Sequence, residues 1–298
     1  MTALDLGRVG VWGHLDSLPA ADAVGYARRV EELGYGALWV PETVGREPFT
    51  LLGMLAPATG RLVLGTSIVN IWGRDAQSTR MAAETLAEAT AGRFALGLGV
   101  SHPHLAEKLR GHDFVRPLSR MREYLAAYRA AVYRGPRSDA AEPPILVAAL
   151  REKMTDLAGT DADGAFPYLV TPARVAWMRA RLDAAAIADR PEGRHPLLAV
   201  TLPVALEGGT DAARAYLKPY LRTPTYHASW ALQGFEADDW EAPGSDRLVE
   251  AMVAVGTPDV ARARIDGLHA AGADHVALIP LTADGRTEHL RTLEALAP

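Results

Sequence analysis

The 298-residue chain contains no cysteine. Disulfides, iron–sulfur clusters, cysteine-ligated zinc and thiol nucleophiles are therefore excluded. No stretch approaches the roughly 20 uninterrupted apolar residues that a membrane span needs. The N-terminal residues also lack the basic segment and apolar stretch of a secretory signal, so we expect a cytoplasmic protein.

The chain has no cluster of basic residues either. Its 31 Lys and Arg residues stand against 36 Asp and Glu residues, which gives a formal net charge of −5 with neutral histidines. Because a nucleic-acid binder normally carries a basic face or run, we expect no nucleic-acid partner. Hydrophobic residues make up 49% of the chain and charged residues 22%. This balance is typical of a soluble enzyme with a small-molecule substrate.

Short apolar runs recur along the chain, separated by loops and by segments with helical spacing. Each run is apolar along its whole length, as expected for parallel strands that are covered on both faces. The runs that we predict to be strands are 8–12, 37–40, 62–69, 94–98, 145–149, 164–169, 197–206 and 275–280.

The segments between these runs carry helix signals. Ala23, Ala27 and Val30 follow the spacing of one helix face, and Thr171 and Thr257 each precede a proline, a common helix start. Alternating strands and helices predict an α/β protein with the (β/α)₈ TIM-barrel fold. A doubly wound open sheet is the competing fold, but the residues after the first run, WGHLD, are not a glycine-rich dinucleotide turn. We therefore predict a single TIM-barrel domain over residues 1–298.

One connection is too long for a minimal barrel. Residues from about 210 to 254, between the seventh and eighth predicted strands, predict a helical insertion rich in aromatic residues. This insertion could cover the barrel mouth as a lid or wall, form an oligomer contact, or only pack onto the barrel. Its aromatic residues are Tyr216, Tyr220, Tyr226, Trp230, Phe235 and Trp240.

Candidate catalytic residues follow the predicted strands, because barrel active sites lie at the carboxyl ends of the strands. His14, Glu42 and His102 are the candidates for proton transfer, and each could equally be a solvated or packing residue. His102 and His104 have no evident carboxylate partner, so we expect no catalytic metal. There is also no Gly-x-Ser-x-Gly motif of a serine nucleophile.

Glycines close the fourth predicted strand, in the sequence GLGVS at 97–101. Small residues at this position would let a flat ligand or a phosphate approach the backbone. Alternatively, the glycines only relieve crowding among barrel side chains. The glycine pair alone does not decide between these two interpretations.

Several stretches together resemble the luciferase-like monooxygenase superfamily, and within it the F420-dependent oxidoreductase branch. The similarity spans nearly the whole chain in the expected order. The stretches are GTSIVNIWGRD at 65–75, GRFALGLG at 92–99, PILVAAL at 144–150, DGAFPYLVTP at 163–172 and GTPD at 256–259.

The resemblance implies a TIM barrel that binds F420, or alternatively FMN, at the carboxyl-terminal mouth. Family members have a bulge in the third strand, often with a non-prolyl cis peptide bond, that backs the ring. By resemblance, the bulge is Ser67 and Ile68 with Asn70 beyond it, and Gly99, Val100 and Ser101 lie beside the ring. The remaining cofactor residues implied are Ala149 and Leu150 through their amides, Arg151 and Lys153 near the phosphate, and Tyr168.

The chain departs from the family pattern at two positions. Members that act on sugar phosphates or alcohols carry a histidine shortly after the second strand, where this chain has the sequence PETV at 41–44. A carboxylate expected at the end of the fourth strand is replaced by Val100. The proton-transfer residues of the family therefore cannot be carried over.

The sequence thus predicts an F420-dependent oxidoreductase that transfers a hydride between C5 of the deazaflavin and a small organic substrate. An FMN-dependent luciferase-like monooxygenase is one alternative. A cofactor-free structural homologue is another, and aromatic side chains that fill the ring site would favour it. By resemblance we also expect a homodimer.

Overall fold

Parallel strands form a closed barrel in the computed structural model, which describes residues 4–139, 142–189, 195–206, 209–282 and 290–298. Within these residues eight strands close the ring in the order β1-β2-β3-β5-β6-β7-β8-β10, with β10 pairing back to β1. The short strands β4 and β9 pair with β5 and β8. The strands are β1 (Val9–Trp12), β2 (Ala37–Val40), β3 (Val63–Thr66), β4 (Val69–Asn70), β5 (Phe94–Gly99), β6 (Ile145–Val147), β7 (Gly164–Ala165), β8 (Leu197–Ala205), β9 (Ala254–Val255) and β10 (His275–Pro280).

Helices surround the barrel, as the TIM-barrel prediction required. None of the helices in the described ranges is long and apolar enough to cross a bilayer. The helices are α1 (Ala20–Glu32), α2 (Pro48–Leu55), α3 (Ala76–Ala89), α4 (Pro117–Ala130), α5 (Glu152–Asp161), α6 (Pro172–Asp189), α7 (Gly209–Leu217), α8 (Pro224–Ala231), α9 (Ala237–Trp240), α10 (Asp246–Met252), α11 (Pro258–Ala270) and α12 (Leu290–Ala295).

The predicted helix signals have clear structural counterparts. Ala23, Ala27 and Val30 form the buried face of α1. Thr257 caps α11, because its side chain accepts a hydrogen bond from the Val260 amide at 3.5 Å. Helices α7 to α10 lie in the connection from β8 to β10, which confirms an insertion between the seventh and eighth barrel strands.

Three strands are shorter than predicted. The predicted strand 62–69 is interrupted, since pairing stops after Thr66 and resumes at Val69. The predicted strands 145–149 and 164–169 end at Val147 and Ala165. Buried loop residues continue the apolar character beyond the last paired residue, so apolarity overestimated the length of these strands.

A buried histidine joins the strands at which the barrel closes. The His275 side chain lies between β1 and β2, where its Nε2 accepts a hydrogen bond from Trp39 Nε1 at 2.9 Å. Because the indole nitrogen can only donate, the His275 proton resides on Nδ1, which donates to the Gly7 carbonyl at 2.7 Å. Burial lowers the pKa of His275 to about 4, so the ring is neutral at neutral pH.

This neutral histidine predicts a loss of stability in acid. The pKa of His275 is about 4 in the folded protein and about 6.5 when unfolded, so the unfolded chain binds the extra proton. The free energy of unfolding therefore falls as the pH drops from about 6.5 to about 4, by up to about 1.4 kcal/mol per pH unit from this group. His275→Gln, which keeps one donor and one acceptor, should lose that part of the slope in urea titrations.

His195→Gln is the matched control, because the His195 side chain is 89% exposed. It should leave the pH slope of the unfolding free energy unchanged. An equal pH slope of the unfolding free energy in wild type and His275→Gln would contradict the assignment of this acid sensitivity to His275.

Candidate functional site

A cavity of about 420 Å³ opens at the carboxyl ends of the barrel strands. Its size falls within the range typical of small-molecule sites. Within the described part of the chain, no group of three or more His, Asp and Glu residues is placed to hold a metal ion. The sequence-predicted residues that line the cavity are His14, Glu42, Ser67, Ile68, Val100, Ser101, His102, Ala149, Leu150, Arg151 and Tyr168.

Three predicted cofactor residues do not line this cavity. Asn70 is buried beside the bulge, and Lys153 is exposed in the first turn of α5. Gly99 lies behind Ile68, since a Cβ added at Gly99 would overlap the Ile68 side chain. A Cβ at Gly97 would likewise overlap the Thr66 carbonyl. Gly97 thus leaves room for the backbone of β3, and Gly99 leaves room for the Ile68 side chain.

The bulge after β3 forms one wall of the cavity. The peptide bond between Ser67 and Ile68 is cis, at the position that the family resemblance implies. The Ser67 amide donates to the Val40 carbonyl at 2.8 Å, and the Ser67 carbonyl accepts from Trp12 Nε1 at 3.0 Å. Because both backbone groups of Ser67 are bonded to neighbouring strands, the Ile68 side chain has a fixed position in the wall.

Glu42 holds the same bulge from the other side. Its amide donates to the Ile68 carbonyl at 3.2 Å, and its carboxylate accepts the Asn70 amide at 2.7 Å. The carboxylate also pairs with Arg74 at 2.9 Å and Arg110 at 3.1 Å, and the side chain is only 6% exposed. With donors on both oxygens, the Glu42 carboxylate is a positioning group at the cavity edge.

Asn70 continues this network away from the cavity. Its side-chain amide donates to Glu42 at 2.6 Å, while its Oδ1 accepts from the amides of Trp72 and Gly73 at 3.0 and 2.7 Å. The Trp72 indole then donates to the Val100 carbonyl at 2.8 Å. Asn70 therefore shapes the turn that joins the bulge to the end of β5.

His102 is a neutral histidine in the cavity wall. Burial, with His104 as a smaller contribution, lowers the pKa of His102 to about 4. The Nδ1 atom is buried and has no hydrogen-bond partner among the described residues. Its ring centroid lies 5.9 Å from that of His104 and 5.5 Å from that of Tyr226. At neutral pH the His102 ring is neutral, so it carries no ionic proton to donate and is a weak base.

His14 lies in a more polar part of the wall. Its Nε2 is 3.3 Å from the Asp16 carboxylate, and its side chain is 38% exposed. Asp16 in turn accepts a hydrogen bond from Thr43 and one from the Arg46 amide at 2.9 Å. The Asp16 carboxylate thus orients the imidazole of His14.

A cationic corner, formed by Arg151 and the first turn of α5, lies where α5 begins. This helix follows β6, so its N-terminus is at the cavity mouth, where helix amides and the helix dipole favour a negative group. Arg151 is the exposed residue before the helix, and it lines the cavity. Among the described residues no acidic side chain pairs with Arg151. This corner suits a phosphate.

The wall opposite the bulge is aromatic and uncharged. In the eight-strand ring, β8 is four strands from β3 in either direction, so Thr201 on β8 faces the bulge. Tyr168 after β7, with Tyr220 and Tyr226 of the insertion, completes this wall. Only Glu42 and Arg151, of the described residues that line the cavity, are acidic, lysine or arginine residues.

Sequence reasoning did not single out several of these residues. Thr201 is a solitary hydroxyl in the apolar run of β8, and that contrast was a usable signal. Tyr220 and Tyr226 were noted only as insertion aromatics that could form a lid or wall. The structure places both in the wall, while Trp230 packs at 0% exposure inside the insertion.

A barrel whose mouth holds a cavity backed by a third-strand bulge has the architecture of a cofactor-dependent oxidoreductase. The family model of the luciferase-like monooxygenases matches residues 1–275 of this chain. The chain therefore belongs to the luciferase-like monooxygenase family.

Two relatives illustrate the sequence similarity. A protein of Mycobacterium tuberculosis, provisionally named a coenzyme F420-dependent oxidoreductase, is 27% identical over 97% of both chains. A phthiodiolone/phenolphthiodiolone dimycocerosates ketoreductase of Mycobacterium bovis is 30% identical over 86% of this chain and 67% of its own.

Two solved structures share the fold. An F420-dependent secondary alcohol dehydrogenase in complex with an F420-acetone adduct matches with a TM-score of 0.77 at 14% identity, over 97% of both chains. The oxygenating constituent of the 3,6-diketocamphane monooxygenase of Pseudomonas putida, in complex with FMN, matches with a TM-score of 0.71 at 16% identity, over 97% of this chain and 96% of its own. At these identities the similarity shows the barrel fold alone.

The Glu42 network predicts that Glu42→Gln lowers the free energy of unfolding more than Glu47→Gln does. Glu42→Gln removes the charge that pairs with two arginines and places amide hydrogens against them, so we expect a loss of about 2 kcal/mol in the free energy of unfolding. Glu47→Gln is the control, because Glu47 also pairs with Arg74 at 2.9 Å but is 45% exposed. For Glu47→Gln the loss in the free energy of unfolding should stay below about 1 kcal/mol. Urea denaturation of both variants measures the difference, and equal losses would contradict the positioning role of Glu42.

Proposed function

We propose that the protein is an F420-dependent oxidoreductase that transfers a hydride between C5 of the deazaflavin and a small organic substrate. The observation that carries the proposal is the cavity between the Ile68 bulge and an uncharged aromatic wall, with a cationic corner beside it. A planar ring with a phosphate-bearing side chain matches both features. The names of the F420-dependent relative and of the ketoreductase support this choice of chemistry.

The residues around the cavity fit such a cofactor. Ser67 and Ile68 would back the ring, with Val100 and Ser101 beside it. Asn70 and Gly99 would act through the bulge, the first by shaping its turn and the second by leaving room for Ile68.

The cationic corner would hold the phosphate. Ala149 and Leu150 would offer backbone amides, and Arg151 a guanidinium. Lys153, exposed in the first turn of α5, would add a longer-range positive charge. Tyr168 lies on the opposite wall, next to the face of the ring that a substrate would use.

When bound, F420 supplies two-electron hydride chemistry at C5, and the protein supplies orientation, exclusion of water and proton handling. Neutral His102, with a pKa of about 4, would offer an unprotonated ring nitrogen as a hydrogen-bond acceptor, but it is too weak a base to carry the substrate proton near neutral pH. His14, held by Asp16, is suited to exchange a proton with solvent. Glu42 keeps its carboxylate in ion pairs, so we assign it to positioning rather than to proton transfer.

The alternatives make different predictions. A cofactor-free homologue would have its ring site filled by aromatic side chains, but Trp72 turns to the Val100 carbonyl and the tyrosines border an open cavity. An FMN-dependent monooxygenase would show oxygen uptake driven by reduced FMN.

A homodimer and a cytoplasmic location remain predictions. Light scattering of the purified protein can test the first, and cell fractionation can test the second.

Titration of the purified protein with F420 tests the proposal directly. We expect a perturbed F420 absorbance spectrum and saturation at about 10 µM cofactor or below, with weaker binding of FMN. No spectral change at tens of micromolar F420 would overturn the proposal. Tight FMN binding with oxygen uptake would favour the monooxygenase instead.

Arg151 provides a residue-level prediction. Arg151→Gln removes a charge-assisted contact with the phosphate, so the dissociation constant for F420 should rise about tenfold in low salt. Arg120→Gln is the control, since Arg120 is an exposed arginine of α4 that does not line the cavity. The same absorbance titration checks both variants. An unchanged dissociation constant for Arg151→Gln would place the phosphate elsewhere.

A further inference from the structure

Three tyrosine hydroxyls form a connected group at the wall opposite the bulge. The Tyr168 hydroxyl lies in hydrogen-bond contact with that of Tyr216 and 3.0 Å from that of Tyr220. The rings support one another, with Tyr216 and Tyr220 centroids 5.7 Å apart and Tyr220 and Tyr226 at 5.1 Å. Tyr168 is therefore the centre of a short hydroxyl chain.

Burial of Tyr216 restricts the direction of donation within this group, in which either oxygen of each pair could donate. Tyr216 is buried and does not line the cavity, so its hydroxyl proton must go to a neighbouring hydroxyl or remain unsatisfied at a cost. If Tyr216 donates to Tyr168, then Tyr168 donates to Tyr220. Because Tyr220 lines the cavity, the last proton of the chain is available to a ligand there.

The hydroxyls of Tyr216, Tyr220 and Tyr226 keep their protons at neutral pH. Burial raises the pKa of Tyr220 to about 12 and raises the pKa of Tyr216 and Tyr226 well above the ordinary value. A donated hydrogen bond in a dry cavity, supported by a second hydrogen bond behind it, is stronger than one in water. Tyr220 is therefore a neutral donor.

Two buried polar atoms of residues that line the cavity, one on this wall and one after β5, have no hydrogen-bond partner among the described residues. The Thr201 hydroxyl is buried without a hydrogen-bond partner among the described residues, and so is Nδ1 of His102. No acidic, lysine or arginine side chain of the described residues lines the cavity on this side. The wall therefore suits an uncharged molecule with an oxygen acceptor.

From this geometry we propose that Tyr220 is the hydrogen-bond donor to the oxygen of an uncharged carbonyl substrate, and that Tyr168 positions it. A ring backed by Ile68 would present its free face to this wall, so a substrate carbonyl would lie between the two. Negative charge that develops on its oxygen during reduction would be stabilised by the Tyr220 hydroxyl. The inference rests on the proposed function for its chemistry, whereas the carbonyl subsite is a property of the wall itself.

Binding of two matched probes tests the proposal. Acetophenone and α-methylstyrene have the same shape, but only acetophenone has an oxygen in place of the methylene group. Ligand-observed NMR titrations of the full chain, with and without F420, should show a preference of about tenfold for acetophenone. Tyr220→Phe should abolish that preference, and Tyr168→Phe should reduce it.

Tyr35→Phe is the control for loss of a buried tyrosine hydroxyl. Tyr35 donates to the Leu293 carbonyl at 2.8 Å, away from the cavity, so this variant should lower thermal stability and leave the preference intact. A preference that survives in Tyr220→Phe, or no preference in the wild type, would overturn the assignment. A protein that does not bind F420 but shows the Tyr220-dependent preference would contradict the proposed function and retain the carbonyl subsite.

Discussion

The position of the bulge after β3 depends on one buried carboxylate. Glu42 spans the bulge with its own amide on the Ile68 carbonyl and its carboxylate on the Asn70 amide. The negative charge of Glu42 is balanced by Arg74 and Arg110, which come from different loops of the mouth. Since charge-assisted hydrogen bonds are directional as well as strong, this arrangement fixes the bulge relative to β2 and to the loop after β5. A flat ligand would meet a rigid surface.

The cavity combines two walls of different origin. Barrel strands build the bulge side. There the backbone of the bulge is hydrogen-bonded to Val40 and Glu42, and the Ile68 side chain packs against Gly99, so Ile68 has little freedom to move. The other side combines Tyr168, from the loop after β7, with tyrosines of the insertion that contact its hydroxyl. A rigid wall suits the part of a site that is common to a family, and a wall on an insertion can change without disturbing the barrel.

The sequence predicted the barrel well because burial on both faces leaves a continuous apolar run at each parallel strand. It predicted strand ends poorly, since the runs 145–149 and 164–169 continue as buried but unpaired residues. The bulge and eight of the 23 cavity residues followed from resemblance. The ion pair of Glu42 with Arg110 joins residues far apart in the chain, and the tyrosine wall depends on how the insertion docks. Neither has a local sequence signal.

Glu42 lies in the segment after the second strand where, by resemblance, members that act on sugar phosphates or alcohols carry a histidine. A carboxylate at this place is used to hold the bulge, so a proton donor must come from another part of the cavity. The neutral His102 has a pKa of about 4 and lacks the ionic proton of an acid catalyst near neutral pH. The neutral hydroxyls of the opposite wall keep their protons at that pH and lie where a substrate would face a bound ring. Because the Glu42 carboxylate is occupied by Asn70, Arg74 and Arg110, the hydrogen-bond donor that we propose is Tyr220 of the tyrosine wall.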